Sequence, residues 1–141
     1  MSQKYIVDAC IWRDFYEDRI SLVGRPLGSY AYEFFVKILK KKNVILFSKV
    51  LIIELRLRYS HEEIDELLNL LGHMGKLSRI EITEEEDVEA RELALKRKIP
   101  YNDCLNAIHA RNHGAVLISQ DKHVIHALSD ICESSRPEKV S

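Results

Sequence analysis

The stretch "KYIVDACIW", residues 4–12, sets a short apolar run, Tyr5, Ile6 and Val7, directly against a carboxylate, Asp8. Aromatic and β-branched residues in such a run read as a buried strand. A charge at its tip, where an apolar run would continue or turn, needs a reason. Three further short runs have a similar build. "VILF" (44–47) follows the lysines 40–42, "RIEIT" (79–83) alternates apolar and polar, and "AVLI" (115–118) follows Gly114. These are the four strand candidates.

Helical patterns fill the intervals. Residues 29–41 carry Tyr32, Phe35, Val36 and Leu39 at helical spacing. Ser48 is placed to cap a helix over 49–59, and residues 61–72 carry Ile64, Leu67, Leu68 and Leu71 before Gly72. Thr83 followed by three glutamates starts a capping-box helix running to about Lys98, with its acids early and its bases late, as the helix dipole favours. Beyond Pro100, a helix begins at Asn102 or Asp103, runs to Asn112 and closes on Gly114.

Strands separated by helices imply parallel pairing through right-handed crossovers. Purely apolar strands imply a sheet covered on both faces. The expected fold is α/β, a three-layer α/β/α sandwich around a parallel sheet of four to five strands. At 141 residues the chain is long enough for one domain with a substantial core, so 1–141 is expected to form a single domain.

Composition limits the function. With 46% hydrophobic and 30% charged residues, the chain has the make-up of a folded globular protein. A net charge of −1 excludes a global electrostatic footprint for nucleic acid, so an anionic partner must be held by a local patch or a metal ion. The three cysteines, Cys10, Cys104 and Cys132, lack metal-ligand spacing and read as free thiols in a reducing compartment. The N-terminus does not read as a signal peptide, and no apolar run approaches the ~20 residues of a membrane span. The expected location is the cytoplasm, with no membrane partner.

Open parallel sheets bind ligands beyond the carboxyl ends of their strands. Asp8 sits at that edge, and so does Asp121, just past "AVLISQ". Glu54 lies inside the apolar stretch "SKVLIIELRLR", near the face of Val50, Ile53 and Leu57, where a carboxylate is costly without a partner. Asp103 lies in a first helical turn, where a cap would also account for it. A strand-end turn, an amphipathic edge and an N-cap explain the other three singly. Together, carboxylates gathered at one edge repel each other unless a divalent cation neutralises them, and hard oxygen ligands suit Mg²⁺ or Mn²⁺.

In this order, "YIVDAC", "SKVLIIEL", "NDCLNAIHA" and "VLISQDKH" resemble the motifs of the PIN domain family, over roughly residues 4–128. The resemblance implies a metal-dependent ribonuclease in which Asp8, Glu54, Asp103 and Asp121 form an acidic quartet that is both catalytic and metal-binding. Ser119 takes the family's hydroxyl position, and Asn106, one turn after Asp103, would orient a carboxylate or water. Small single-domain, VapC-like members imply a toxin with a cognate antitoxin, and a homodimer. Where many members carry a further acid or polar residue, this chain has "KHVIH" with His123, which leaves one or two metals open. Two other roles also stay open within the family: an RNA-processing or quality-control nuclease without an antitoxin, and a degenerate domain that binds RNA or protein. A receiver-like domain fits less well, because no acid pair follows "YIV" and "RIEIT" leads into a helix start.

"IWRDFYEDR" (11–19) places Trp12 and Arg13 beside Asp8 as candidates for stacking and phosphate contact with RNA, or else as one side of a half-buried helix. "KILKKKN" (37–43) reads as a helix C-terminus matched by charge, and "SLVGRPLGS" (21–29) as a mobile loop near the site.

Overall fold

The computed structural model describes residues 3–141. Its sheet contains β1 (Gln3–Val7), β2 (Asn43–Phe47), β3 (Leu77–Arg79), β4 (Val116–Ile118) and β5 (Ser134–Ser135). All neighbours are parallel, in the order β3-β2-β1-β4-β5. The chain steps outward from β1 to β2 to β3, then returns across the sheet to β4. Strand order therefore reverses between β1 and β4, and an open sheet has its ligand crevice at such a point.

Helices α1 (Ala9–Glu17), α2 (Leu27–Lys40), α3 (Lys49–Arg56) and α4 (His61–Gly72) contribute to one apolar layer. Its centre is aromatic: Phe34 meets Tyr5 edge-on at 5.3 Å, and Trp12 meets Phe35 at 4.8 Å. Helices α5 (Glu84–Arg97), α6 (Tyr101–His113) and α7 (Lys122–Ala127) build the other layer, around Leu105, Ile108, Leu117 and Leu128. Side chains of β1 alternate between the two, Tyr5 and Val7 to the first and Ile6 to the second. This is the α/β/α sandwich expected, with five strands.

Local signals act as expected at most ends. Ser48 Oγ accepts the Val50 N–H at 3.2 Å to start α3. Thr83 and Glu86 form the reciprocal capping box of α5, and Ser60 and Glu63 form another at α4. Gly114, at φ 64°, closes α6 in the left-handed region that glycine tolerates best.

Other expectations need correction. The third strand is Leu77–Arg79, before most of "RIEIT"; residues 80–83 run on as an extended lead to α5. Ile80 and Ile82 pack on the second core layer, so their alternation reports burial rather than strand pairing. Helix α6 starts at Tyr101, with Pro100 at its cap position and no side-chain cap, so Asp103 is not a capping residue. In α3, Ile53 and Leu57 face solvent, while Val50, Leu51 and Leu55 form the buried face. The segment "SLVGRPLGS" is tied by its own hydrogen bonds: Gly24 N–H donates to Ser21 O, and Arg25 N–H to Ser21 Oγ, both at 2.9 Å. Gly28 is required by contact, since a Cβ there would lie 2.6 Å from Cα of Asp18.

Candidate active site

The acids reach one edge because strands run toward it and the following helices start from it. Asp8 ends β1 and precedes α1. Its N–H donates to Ile118 O at 3.0 Å, which joins the tips of β1 and β4 at the point of reversal. Asp121 follows β4 and starts α7, and Glu54 lies on α3, which leaves the tip of β2. Helix α6 leads into β4 and so runs back across the sheet, which brings Asp103 in its first turn to the same edge.

Their electrostatics show that these groups share one region. Burial pushes the Asp8 carboxyl up, and hydrogen bonds from Ser119, the Cys10 thiol and the N–H groups of Ala9 and Cys10 pull it back. Asp103 is pushed up to about 7, first by burial, then by the charges of Asp8 and Asp121. Glu54 is likewise pushed up to about 7 by burial, Asp8 and Asp103, against a hydrogen bond from Asn102. Like charges that hold one another near neutrality mark a site poised for a proton or a cation.

Ser119 is fully buried and links two of the acids. Its Oγ donates to Asp8 Oδ2 at 3.1 Å and accepts the Asp121 N–H at 3.1 Å. Asp121 itself is exposed, and its Oδ1 caps α7 by accepting the N–H groups of His123 and Val124 at 3.0 and 3.2 Å. Asn106 lines a small cavity with Ser48, Glu54 and His109, so of the four acids it shares that cavity with Glu54.

Trp12 lies elsewhere. It is 1% exposed and packs against Phe35, so its ring belongs to the core and offers no surface for stacking a base. Arg13 is half-buried and faces Glu17 at 3.6 Å, one turn along α1. Sequence reading passed over Asn102, although "PYND" sets an amide beside Asp103. Cys10, read from the sequence as a free thiol, also bonds to Asp8. Burial and the Asp8 charge push that thiol well up, so it stays a donor.

Among the described residues, no three His, Cys, Asp or Glu side chains stand in an arrangement that encloses a cation. The donor chemistry nevertheless fits a hard divalent ion. The four groups are carboxylates, and positive charge would relieve the burial and repulsion that raise Glu54 and Asp103.

A parallel five-stranded sandwich with an acid-lined reversal point defines the class of α/β/α domain to which the chain is assigned. Residues 5–129 match the PIN domain family, and the chain belongs to it. No curated protein sequence matches. Solved structures similar in fold include VapBC-1 from nontypeable Haemophilus influenzae, at 17% identity and TM-score 0.66, over 97% of this chain and 100% of that one. VapBC2 from Rickettsia felis, bound to a DNA fragment from its promoter, matches at 17% identity and TM-score 0.64, over 95% and 98%. A toxin-antitoxin complex from Klebsiella pneumoniae matches at 15% and 0.62, over 96% and 99%. No helix among the described residues is long and apolar enough to cross a membrane.

Proposed function

We propose that this protein is a divalent-cation-dependent endoribonuclease and the toxin of a toxin-antitoxin pair. The observation that carries the reading is the gathering of Asp8, Glu54, Asp103 and Asp121 at the sheet reversal, close enough that the charges of Asp8 and Asp121 raise Asp103 and those of Asp8 and Asp103 raise Glu54. Asp8 and Asp121 would hold Mg²⁺ or Mn²⁺ most directly, with Glu54 and Asp103 completing the shell, directly or through water. Such an ion would supply positive charge for a phosphate group and would lower the pKa of a water.

The chain's own groups do the rest. Ser119 fixes the Asp8 carboxylate, and Asn102 does the same for Glu54. Asn106 orients water or a carboxylate. Arg13, on the helix that starts at Asp8, is the candidate for contact with the RNA backbone.

The toxin role draws on neighbours whose names describe toxin-antitoxin and VapBC complexes. An apolar groove of about 230 Å³ between α1, α2 and α4, lined by Trp12, Phe15, Phe35, Leu67 and Leu70, suits an antitoxin helix. Trp12 is the sole tryptophan and lines this groove, so its emission should shift when an antitoxin binds.

The decisive test is cleavage of short RNA with Mn²⁺, Mg²⁺ or EDTA, comparing wild type with Asp8→Asn and Asp121→Asn. Cleavage only with cation, lost in both variants, is expected. Cleavage in EDTA, or cleavage unchanged in both variants, would overturn the mechanism. Cation binding without any cleavage would favour an RNA- or protein-binding role, and cleavage without a neighbouring antitoxin gene would favour RNA processing.

A further inference from the structure

Beyond β4 the chain returns to the acidic edge. Strand β5 pairs with β4, and the Ser119 N–H donates to Ser135 O at 3.1 Å. A 3-10 turn, Pro137–Lys139, then sets Glu138 against the turn that carries Asp121. Gln120, between Ser119 and Asp121, donates its Nε2 to Glu138 Oε1 at 2.8 Å. The Arg25 guanidinium donates to Gln120 Oε1 at 3.3 Å and to Glu138 Oε2. Three side chains from distant parts of the sequence thus close a ring, with both ends of the Gln120 amide engaged. The Glu138 side chain is only 15% exposed, and partial desolvation strengthens such bonds. A further cation, Arg136, stands 4.0 Å from Glu138 Oε2.

The ring lies outside the acidic group but is bonded to its backbone. Ser119 is held from within by Asp8. Asp121 is exposed, and its carboxylate is held by the His123 and Val124 N–H groups at the start of α7, so its placement follows the backbone of the turn and of that first helical turn. Ser119 meets the C-terminal segment through its backbone N–H, and Gln120 alone of the three reaches it with its side chain. That segment has its own anchors, since Lys37 Nζ donates to Val140 O and Val140 packs on the first core layer.

We propose that Glu138 is a positioning residue of the acidic site, which fixes the Ser119–Asp121 turn through Gln120. The strap of residues 134–141 thereby helps set Asp121 against Asp8 and Asp103. Only the cation arm of the test below rests on the nuclease reading; the arm that follows the turn stands without it.

Amide hydrogen exchange by NMR on the full chain tests this, with Glu138→Ala, Glu138→Gln, Gln120→Ala and the Gln120→Ala/Glu138→Ala double variant. Glu138→Ala should speed exchange of the Asp121, His123 and Val124 amides about tenfold, as loss of a charge-assisted bond predicts. It should weaken Mn²⁺ binding, measured calorimetrically without RNA, by a similar factor. Glu138→Gln should restore part of both, since its carbonyl still accepts one bond. Adding Glu138→Ala to Gln120→Ala should add little, because Gln120 is the link.

Faster exchange confined to residues 134–141, with the turn unchanged, would overturn the proposal, as would fully additive effects of the two substitutions. Faster exchange in the turn of a protein that binds no Mn²⁺ would uphold the positioning role and remove the cation reading. The same change in a protein that binds Mn²⁺ but cleaves no RNA would uphold it and remove the nuclease reading.

Discussion

Ser119 Oγ lies 3.1 Å from Asp8 Oδ2, and the bond joins the tips of the two strands between which strand order reverses. The same hydroxyl accepts the Asp121 N–H, so one fully buried oxygen serves two of the four acids. Ser119→Ala should therefore cost about 1–3 kcal/mol, the range for leaving a buried polar group unpaired, measured by urea unfolding. It should also raise the Asp8 pKa further, because this bond lowers it; carboxyl-detected NMR titration would show the change. An unchanged Asp8 titration would separate the two groups.

The raised acids predict an unusual pH dependence for the cation-free protein. Between the ordinary carboxylate range and about 7, the folded state holds protons on Glu54 and Asp103 that the unfolded chain has lost. Stability must then fall as pH rises through that window and level off above it. Thermal melts of wild type against Glu54→Gln/Asp103→Asn should isolate this slope, because the double variant lacks it. Mn²⁺ should stabilise wild type more at pH 8 than at pH 5.

Glu86 behaves in the opposite sense. Burial pushes its carboxyl up, but bonds from the Thr83 N–H, Asn112 and His109 outweigh burial and hold it at about 2. A carboxylate only accepts, so His109 Nε2 carries the proton that it donates at 3.2 Å. This contribution is present above the unfolded pKa and is lost as pH falls from about 4.5 toward 2. Glu86→Ala removes an N-terminal capping partner of α5 and strands one buried donor, His109 Nε2. A loss of about 3 kcal/mol in denaturant unfolding is expected at pH 7, narrowing in acid.

Gly28→Ala should destabilise by about 1–3 kcal/mol, the usual cost of overpacking, because its Cβ would meet Asp18 backbone atoms at 2.6 and 2.9 Å. Asp18 already has φ 48°, so it has little room to yield. The midpoint of a urea melt reads the loss. A silent substitution would mean that the α1–α2 connection rearranges freely.

The strands with continuous apolar runs, β1, β2 and β4, were legible because burial on both faces leaves a strong pattern. Strand β3 was misplaced because Ile80 and Ile82 alternate as a strand does, yet they pack on the second layer after pairing has ended. At the acidic edge, Asp8 and Asp121 stood out by position at the strand ends, while Asp103 also read as a cap and Asn102 did not stand out, since an amide before a helical acid has many uses. Trp12 read either as a stacking surface or as one side of a half-buried helix, because aromatics beside a site have the same spacing whether they face core or solvent; the structure places it in the core. Arg25, Gln120 and Glu138 were invisible, because their ring depends on a return of the chain that no local pattern encodes.

The reversal of strand order also sets a timetable. The acids come from positions 8, 54, 103 and 121, and the segment that fastens the last of them ends at residue 141. No stretch shorter than residues 8–121 contains the four acids. During synthesis from the N-terminus, Asp8 is made early and waits for a partner that follows only at position 121. Until then the growing chain lacks part of its acidic edge, so whatever chemistry that edge supports is withheld while the rest of the domain is made.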